Sequence, residues 1–232
     1  MVAPADGPLP AGPSARLFLY RTHWHSSEGW QLELFETGGI AHKWNLPAAM
    51  TPGLAANAAL AIVTAQLLGV ADDNIRAGLA TWKPASLRGE LLQHGDKVFL
   101  ADCYNANPTS MADALAGFAL RTPAELPRLY ILGSMAELGP NAPSLHRAAI
   151  AGLRLRPQDR ALLLGAHAEE YRMALYASGQ SASQFGVVSL EMADAEIANF
   201  AGAVFLKGSR SEALEKLLPS SLREGREAHV SC

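Results

Sequence analysis

Short, mostly apolar runs alternate with amphipathic segments in the second half of the chain, and this alternation restricts the fold more than any other feature. The runs are Glu90–Gln93, Val98–Ala101, Leu129–Leu132, Ala161–Leu164, Phe185–Val188 and Ala203–Leu206. A helical segment follows each of the last five, namely Pro108–Arg121, Pro143–Leu153, Ala168–Ser178, Met192–Phe200 and Glu212–Leu218. Strands separated by single helices form βαβ units around a parallel sheet. We therefore predict a doubly wound, mostly parallel α/β domain over residues 87–232.

The first part of the chain has a different pattern. Leu17–Tyr20, Trp30–Phe35 and a run ending near Trp44 predict three short strands, with a hairpin turn at Gly38-Gly39. Residues 1–15 are rich in Pro, Gly and Ala, and we predict a disordered leader there.

Two helices are predicted after these strands. Leu54–Leu68 should form a largely buried helix, which starts at Thr51-Pro52. Asp72 should cap a second helix that presents Ile75, Leu79 and Trp82 on one face. We place the domain boundary in Lys83–Ser86, so that residues 16–86 precede the α/β domain.

Composition and charge exclude several classes of function. The net charge of −3 argues against a nucleic-acid-binding protein, which usually carries a basic face. Two cysteines are too few for a disulfide framework, which favours the cytoplasm. The most apolar segment, Ala55–Ala71, is too short and too interrupted by polar residues to favour a membrane span.

Three polar turns follow predicted strands, at Asp102–Asn107, Gly133–Gly139 and Lys207–Arg210. The carboxyl ends of parallel strands share one edge of a sheet, where α/β proteins bind ligands. Asn107-Pro108 is also a typical helix start, and a helix N-terminus favours anions. We therefore predict a phosphate or nucleotide site at this edge.

The side chains in these turns suit a phosphorylated or carboxylate ligand. Lys207 and Arg210 supply positive charge, and Arg210 can bind an oxyanion through two parallel hydrogen bonds. Ser209 offers a hydroxyl, while Asp102 and Glu137 can hold ribose hydroxyls, an ammonium group or a metal through water. The alternative is that these are solvated surface charges and that Asn107 only caps a helix.

Other reactive side chains give weaker signals. His146 lies in a predicted helix, where a single histidine is more often structural than catalytic. No histidine close in sequence activates Cys103, so a nucleophilic role is disfavoured. His23 and His25 lack further ligands nearby, and we predict no metal site there. The usual glycine-rich phosphate loops do not occur in the sequence.

Three motif blocks resemble the C-terminal domain of the Mur ligases in their order and approximate spacing. They are Asp102–Met111 (DCYNANPTSM), Leu132–Gly139 (LGSMAELG) with His146 after it, and Leu206–Arg210 (LKGSR). Residues 57–69 and 75–83 resemble the helices that end the family's central domain, so residues 16–86 would be a partial central domain. The chain is most similar to the type that adds D-alanyl-D-alanine to UDP-N-acetylmuramoyl tripeptide.

The resemblance implies a reaction in peptidoglycan precursor synthesis. ATP, with Mg²⁺, would phosphorylate the tripeptide carboxylate to an acyl phosphate, which the amine of D-alanyl-D-alanine would then attack. By resemblance, nucleotide binding falls to Arg88, Asp102, Tyr104, Asn105 and Asn107, substrate binding to Glu137 and Ser209, and catalysis to Lys207, Arg210 and His146. No role is implied for a nucleic acid or a membrane.

The sequence also departs from the family pattern. The UDP-sugar domain and the first half of the central domain, with its phosphate loop, Mg²⁺-binding acidic residues and modified lysine, have no counterpart here. Gly53-Leu54 replaces a His-Asn pair, Ser134 replaces an Asp and Cys103 replaces a Ser. We therefore expect that the chain is not a competent ligase alone, whether it is the C-terminal portion of a longer ligase or is paired with a separate N-terminal half. The alternatives are a non-catalytic module that binds a nucleotide, a peptide or a partner protein, and an unrelated α/β binding domain.

Overall fold

The structure, a computed structural model, describes residues 1–7, 17–36 and 42–224. The chain divides into two compact units, Met1–Lys83 and Pro84–Cys232. The division falls at the start of the segment in which we placed the domain boundary. The turn predicted at Gly38-Gly39 lies outside the described residues, as does most of the predicted leader.

The first unit contains a four-stranded sheet and two helices. Its elements are β1 (Val2–Pro4), β2 (Phe18–His25), β3 (Gly29–Glu36), β4 (His42–Leu46), α1 (Pro52–Leu67) and α2 (Asp72–Thr81). Strand β1 pairs parallel to β2, and the other pairs are antiparallel. Val2–Pro4 was expected in a disordered leader, and that expectation is wrong because its backbone pairs with β2 while Val2 packs against the core.

The core of this unit lies between the sheet and one face of α1. Trp44 and Leu32 are fully buried there beside Ala59, and the indole N–H of Trp30 donates to the Met50 carbonyl oxygen at 2.9 Å. The helix is apolar on all sides, yet the unit covers only one of them. Its other face exposes Leu60, Leu67 and Leu68. The prediction that this helix is largely buried is therefore wrong for the unit by itself.

A side-chain cap defines the start of α1 but not the start of α2. The Thr51 hydroxyl accepts a hydrogen bond from the Leu54 N–H at 3.3 Å, as expected for an N-cap before a proline. In α2 the cap position belongs to Ala71, and Asp72 is the first helical residue. The Asp72 carboxylate accepts from the Gln66 side chain at 2.9 Å instead, so its predicted capping role is wrong.

The second unit is a six-stranded sheet covered on both faces. Its strands are β5 (Glu90–His94), β6 (Lys97–Asp102), β7 (Arg128–Gly133), β8 (Arg160–Leu164), β9 (Phe185–Val187) and β10 (Ala203–Lys207), and its helices are α3 (Pro108–Arg121), α4 (Ala142–Ile150), α5 (Ala168–Ala177), α6 (Leu190–Asn199) and α7 (Ser220–Arg223). The strand order is β5-β6-β10-β7-β8-β9, and only β5 runs antiparallel to its neighbour. The predicted doubly wound, mostly parallel fold is confirmed.

Alternating side chains of the central strands build two separate cores. Leu100, Tyr130 and Phe205 pack with α3, α4 and α5 on one face of the sheet. Phe99 and Leu206 pack with α6 on the other. The two cores explain why these strands are apolar at nearly every position, as strands buried on both faces are. No helix among residues 1–7, 17–36 and 42–224 has the length and apolar character needed to cross a membrane.

The segment after β10 differs from the prediction. We expected a helix over Glu212–Leu218, but two 3-10 helical turns occupy Arg210–Glu212 and Leu214–Leu217. Ala213 separates them with φ of 52°, which an α-helix cannot accommodate. In a 3-10 helix residues three apart lie on one side, and Leu214 and Leu217 are both buried. The left-handed Ala213 therefore ends one turn before the next begins, and one continuous α-helix is excluded.

Strands β7 and β10 approach each other closely where they end. A Cβ atom added to Gly208 would lie 2.9 Å from the Gly133 Cα and 3.0 Å from the Leu214 side chain. Both positions therefore require glycine because a side chain would not fit there, and not because of the backbone conformation. This contact joins two of the motif blocks through their backbones.

We predict that Gly208→Ala lowers the free energy of unfolding by about 1–3 kcal/mol, because the new methyl group overpacks the contact with Gly133. Gly152→Ala is the matched control, since nothing lies within 4 Å of a Cβ at that position. Urea unfolding of both variants measures the difference. Equal stability of the two would contradict the close packing of β7 and β10.

Cys103 follows β6 and is fully buried between the sheet and its covering elements. Burial raises the pKa of its thiol to about 12, and the nearby carboxylates of Glu215 and Asp102 add to the increase. The thiolate needed for nucleophilic attack is therefore scarce at neutral pH. This supports the expectation that Cys103 is not a nucleophile.

We predict that Cys103 in the folded chain does not react with a thiol reagent near neutral pH. The measurement uses Cys232→Ser, which leaves one cysteine in the sequence. One thiol should appear only after denaturation. Rapid modification of the native variant would show that the thiol is accessible and ionised.

Candidate functional site

The first and third motif blocks meet through a buried ion pair. Lys207 is the last residue of β10, and the parallel register places it beside Asp102 at the end of β6. The Lys207 ammonium donates to Asp102 Oδ2 at 2.8 Å and to the Asn105 carbonyl oxygen at 3.1 Å. The side chain of Lys207 is only 1% exposed. The Lys207 ammonium is therefore paired within the protein, whereas the sequence predicted that it would lie in an exposed turn.

Asp102 lies at the boundary between this buried pair and the surface. Burial raises the pKa of its carboxyl group above the usual value, and the charges of Lys207 and Arg88 oppose part of that effect. An acidic side chain with a cation on one side and 17% of its surface exposed can still accept hydrogen bonds from a ligand.

Arg88 and Tyr104 form a stacked pair next to Asp102. The Arg88 guanidinium carbon lies 3.9 Å from the centre of the Tyr104 ring, and the ring is 39% exposed. Leu87 fixes this arrangement, because its carbonyl oxygen accepts from the Tyr104 N–H at 3.1 Å. Leu87 has φ of 59°, and its own N–H donates to the Glu90 carboxylate at 2.8 Å. The segment before β5 is therefore tied to the first motif block.

The two asparagines of the first block have different roles. Asn107 accepts from the Ser110 N–H at 2.8 Å, and the Ser110 hydroxyl accepts from the Asn107 N–H at 3.1 Å. This reciprocal capping box starts α3, so the Asn107 carboxamide serves the helix. The Asn105 side chain is exposed and accepts only from the Ala106 N–H, at 2.8 Å. Asn105 is thus the better placed of the two for contact with a ligand.

The second and third blocks are joined by hydrogen bonds of Ser209. Its hydroxyl accepts from the Ala136 N–H at 2.6 Å, and its own N–H donates to the Ser134 carbonyl oxygen at 2.9 Å. Ser209 is only 2% exposed. We predicted Ser209 as a substrate-binding residue, but its hydroxyl is engaged with the second block.

Glu137 and Arg210 are the exposed charges of these two blocks. Glu137 adopts φ of 62°, a left-handed conformation that is uncommon for a residue with a side chain. The Arg210 guanidinium lies 3.4 Å from a Glu215 carboxylate oxygen, with 41% of its side chain exposed. Both side chains are accessible to a ligand, as the sequence predicted for a carboxylate or phosphate site.

His146 is fully buried in α4 beneath the second block. Its Nε2 accepts from the Met135 N–H at 2.8 Å, and its Nδ1 lies 2.7 Å from the Ala142 carbonyl oxygen. Burial lowers the pKa of the imidazole below its usual value. Both ring nitrogens are occupied, so this geometry favours a positioning role over the catalytic role that the resemblance implied.

Sequence reasoning missed three residues near the second block. The Tyr171 hydroxyl donates to the Gly133 carbonyl oxygen at 3.1 Å, and the His167 N–H donates to the Ser134 hydroxyl at 2.9 Å. The Glu212 carboxylate lies against Gly165, where burial raises its pKa. Gly165 directly follows β8 and therefore lies in a fourth turn at the same carboxyl edge. The position of this turn in the sequence was the signal that could have indicated these residues.

The carboxyl edge thus combines buried links with exposed charges. Arg88, Tyr104, Asn105, Glu137 and Arg210 are accessible, and the buried Lys207, Ser209 and His146 hold their loops in place. Within the described ranges, no group of three or more His, Cys, Asp or Glu side chains could hold a metal ion. The exposed set can contact an anionic or amine-bearing ligand.

The second unit matches a known protein family. Residues 87–224 match the family described as the Mur ligase, glutamate ligase domain. The UDP-N-acetylmuramoyl-tripeptide–D-alanyl-D-alanine ligase of Treponema pallidum is 32% identical over 182 residues, which are 75% of this chain and 38% of that protein.

Solved structures share the fold. MurF from Acinetobacter baumannii aligns with a TM-score of 0.68 and 23% identity over 86% of this chain and 43% of that one. The MurF ligase from Thermotoga maritima, solved in complex with ADP, aligns with a TM-score of 0.67 and 20% identity over 86% of this chain and 44% of that one. The chain spans about two fifths of the length of the curated relatives. On the match over residues 87–224, which is more than half of its length, the chain belongs to the Mur ligase family.

Proposed function

We propose that this chain is the C-terminal portion of an ATP-dependent ligase that adds D-alanyl-D-alanine to UDP-N-acetylmuramoyl tripeptide in the cytoplasm. The observation that carries the proposal is the joining of all three motif blocks at one carboxyl edge. Lys207 bonds to Asp102, and Ser209 bonds to the backbone of Ala136. The named activity of the Treponema pallidum relative, which is 32% identical over 75% of this chain, supports the choice of reaction.

The nucleotide would contact the first block. Arg88 and the half-exposed ring of Tyr104 offer a cation and an aromatic face, and Asn105 adds an exposed carboxamide. A planar base or a ribose fits such a surface, since aromatic faces stack on bases and carboxamides hydrogen-bond to hydroxyls. Asp102 is close enough to join them, held in place by Lys207.

The dipeptide and the reacting phosphate would contact the other two blocks. Glu137 can accept hydrogen bonds from the ammonium group of an incoming amine, and Arg210 can bind an oxyanion with two donors. Lys207 is buried and already paired, so we assign it to positioning Asp102 rather than to the phosphate. His146 and Ser209 likewise act through the loop that carries Glu137.

The exposed residues suit ATP better than they suit a metal ion. When bound, ATP supplies the phosphoryl group that activates the tripeptide carboxylate. Such phosphoryl transfer depends mainly on positioning and charge neutralisation, which the exposed arginines at this edge can provide. The described residues contain no group of three or more His, Cys, Asp or Glu side chains that could hold a metal ion, and we assign no metal ligand to them.

A non-catalytic binding module is the second candidate. Two observations favour it, namely that Lys207 is used internally and that Ser134 accepts from the His167 N–H in the place of an acidic residue. Such a module would bind nucleotide or peptide at the same edge without turnover. The two experiments below separate the candidates.

The first experiment is a calorimetric titration of the full chain with Mg·ATP. We expect saturable binding that Arg210→Ala weakens roughly ten- to hundredfold, because a charge-assisted hydrogen bond is lost. Arg172→Ala is the matched control, since its side chain is 42% exposed against 41% for Arg210 and also faces a glutamate. Equal losses in both variants, or no binding in the wild type at millimolar ATP, would contradict a nucleotide site at this edge.

The second experiment supplies the N-terminal portion of the Treponema pallidum relative as a separate polypeptide. Phosphate release is measured with ATP, UDP-N-acetylmuramoyl tripeptide and D-alanyl-D-alanine. We expect release only when both polypeptides are present, and its loss with Arg210→Ala. Nucleotide binding without any turnover would instead support the non-catalytic module.

A further inference from the structure

Side chains, rather than backbone carbonyls, hold a short segment of the second block. We call Met135–Glu137 the arm. The Met135 N–H donates to His146 Nε2 at 2.8 Å, and the Ala136 N–H donates to the Ser209 hydroxyl at 2.6 Å. Both acceptors are buried, at 0% and 2% exposure. The amides of two consecutive residues, the buried Met135 and the exposed Ala136, therefore use side chains as their hydrogen-bond acceptors.

The hydrogen bonds of His146 fix its protonation state. A carbonyl oxygen can only accept, so the Nδ1 atom 2.7 Å from the Ala142 oxygen must carry the proton. The Nε2 atom then offers its lone pair to the Met135 N–H. Protonation of Nε2 would place two donors against each other and leave the Met135 amide without an acceptor.

The surroundings of the imidazole disfavour its charged form. The titratable and charged groups packed around it are His167, whose ring centre lies 4.3 Å away, Tyr171 at 5.2 Å, Glu170 with its partner Arg147, and Glu212 facing His167. Burial lowers the pKa of His146, and His167 adds to the decrease. The Ala142 carbonyl oxygen and Glu170 oppose it without overcoming it.

The direction of this shift sets the pH at which the link fails. At pH values below about 6.5, the ordinary pKa of histidine, His146 binds fewer protons in the folded chain than in the unfolded chain. The stabilisation is therefore complete above that pH and is lost as the pH falls toward the lower value of the folded state. Neutral conditions keep the arm attached.

We propose that neutral His146 is a positioning residue that, with Ser209, holds the arm and thereby places Glu137, so that acidification releases the arm and weakens ligand binding. The ligand-binding half of this proposal rests on the proposed function, whereas the attachment of the arm does not. His146 touches no ligand in this account. Its effect reaches the ligand through the Met135 amide and the arm.

The test is nuclear magnetic resonance of the full chain, labelled with ¹⁵N and titrated from about pH 8 to about pH 4, because the pKa of His146 lies below the ordinary value of about 6.5. We expect the Met135, Ala136 and Glu137 amide resonances to shift together with the His146 ring nitrogens. In His146→Gln a carboxamide oxygen replaces Nε2 as acceptor and does not titrate. The arm should then stay ordered, and its dependence on pH should disappear.

His167→Gln is the matched control. It removes the neighbouring titrating ring but keeps the backbone N–H that donates to Ser134. The arm should still respond to pH in this variant, at a slightly higher midpoint, because one charge that disfavours protonation is gone. Ser209→Ala should disorder the Ala136 amide at every pH, and Ser209→Thr should restore it. An arm that ignores pH in the wild type, or responds equally in His146→Gln, overturns the proposal.

A parallel titration with D-alanyl-D-alanine measures the consequence for binding. We expect affinity to fall roughly tenfold over the pH range in which the arm resonances of the wild type shift, the effect of one lost hydrogen bond, and to stay constant over that range in His146→Gln. If the dipeptide does not bind at any pH, the proposed function fails at this step. The amide resonances then still decide whether His146 holds the arm.

Discussion

The buried ammonium of Lys207 is the constraint on which the site depends. Leaving such a charge buried without a partner costs on the order of several kcal/mol, so Asp102 and the Asn105 carbonyl must lie where the ammonium can reach them. That requirement is met only when β10 lies directly beside β6 with Lys207 in register with Asp102. The insertion of β10 between β6 and β7 is thus coupled to a single electrostatic contact at their carboxyl ends.

A second layer of bonds extends this arrangement across the sheet. Gly208 and Gly133 bring the backbones of β10 and β7 together, and Ser209 then bonds to both Ser134 and Ala136. Ser134 and Ser209 are buried, so removing a bonding partner of either leaves a polar group there unsatisfied, and the group behaves as a network. These hydrogen bonds therefore hold the loops that carry the exposed residues in one conformation.

The sequence predicted most elements of the second unit because their signals are local. Asn107-Pro108 marked the start of α3 correctly, and apolar runs marked every strand of the sheet. The failures came where tertiary contacts override local preference. The helix expected over Glu212–Leu218 is broken at the left-handed Ala213, beside two 3-10 turns, and pairing with β2 ordered Val2–Pro4.

The sequence predicted that three polar turns share one edge of the sheet, but it did not predict the internal hydrogen bonds of their residues. Chain order shows that three turns follow strands, yet it cannot show that the first and third are neighbours, because that depends on β10 lying beside β6. Lys207, Ser209 and His146 were therefore assigned to the ligand when their hydrogen bonds are internal. Lys207, Ser209 and His146 are distinguished from the exposed Glu137 and Arg210 by contacts between residues that are far apart in the chain.

The left-handed backbone at Glu137 has an evolutionary consequence. Glycine adopts that conformation without steric penalty, whereas a residue with a Cβ atom costs roughly 1–2 kcal/mol there. Selection for stability alone would favour replacement of Glu137 by glycine. A lineage that keeps a glutamate at position 137 forgoes that gain in every generation, which makes the residue in related sequences a direct record of whether its carboxylate is under selection.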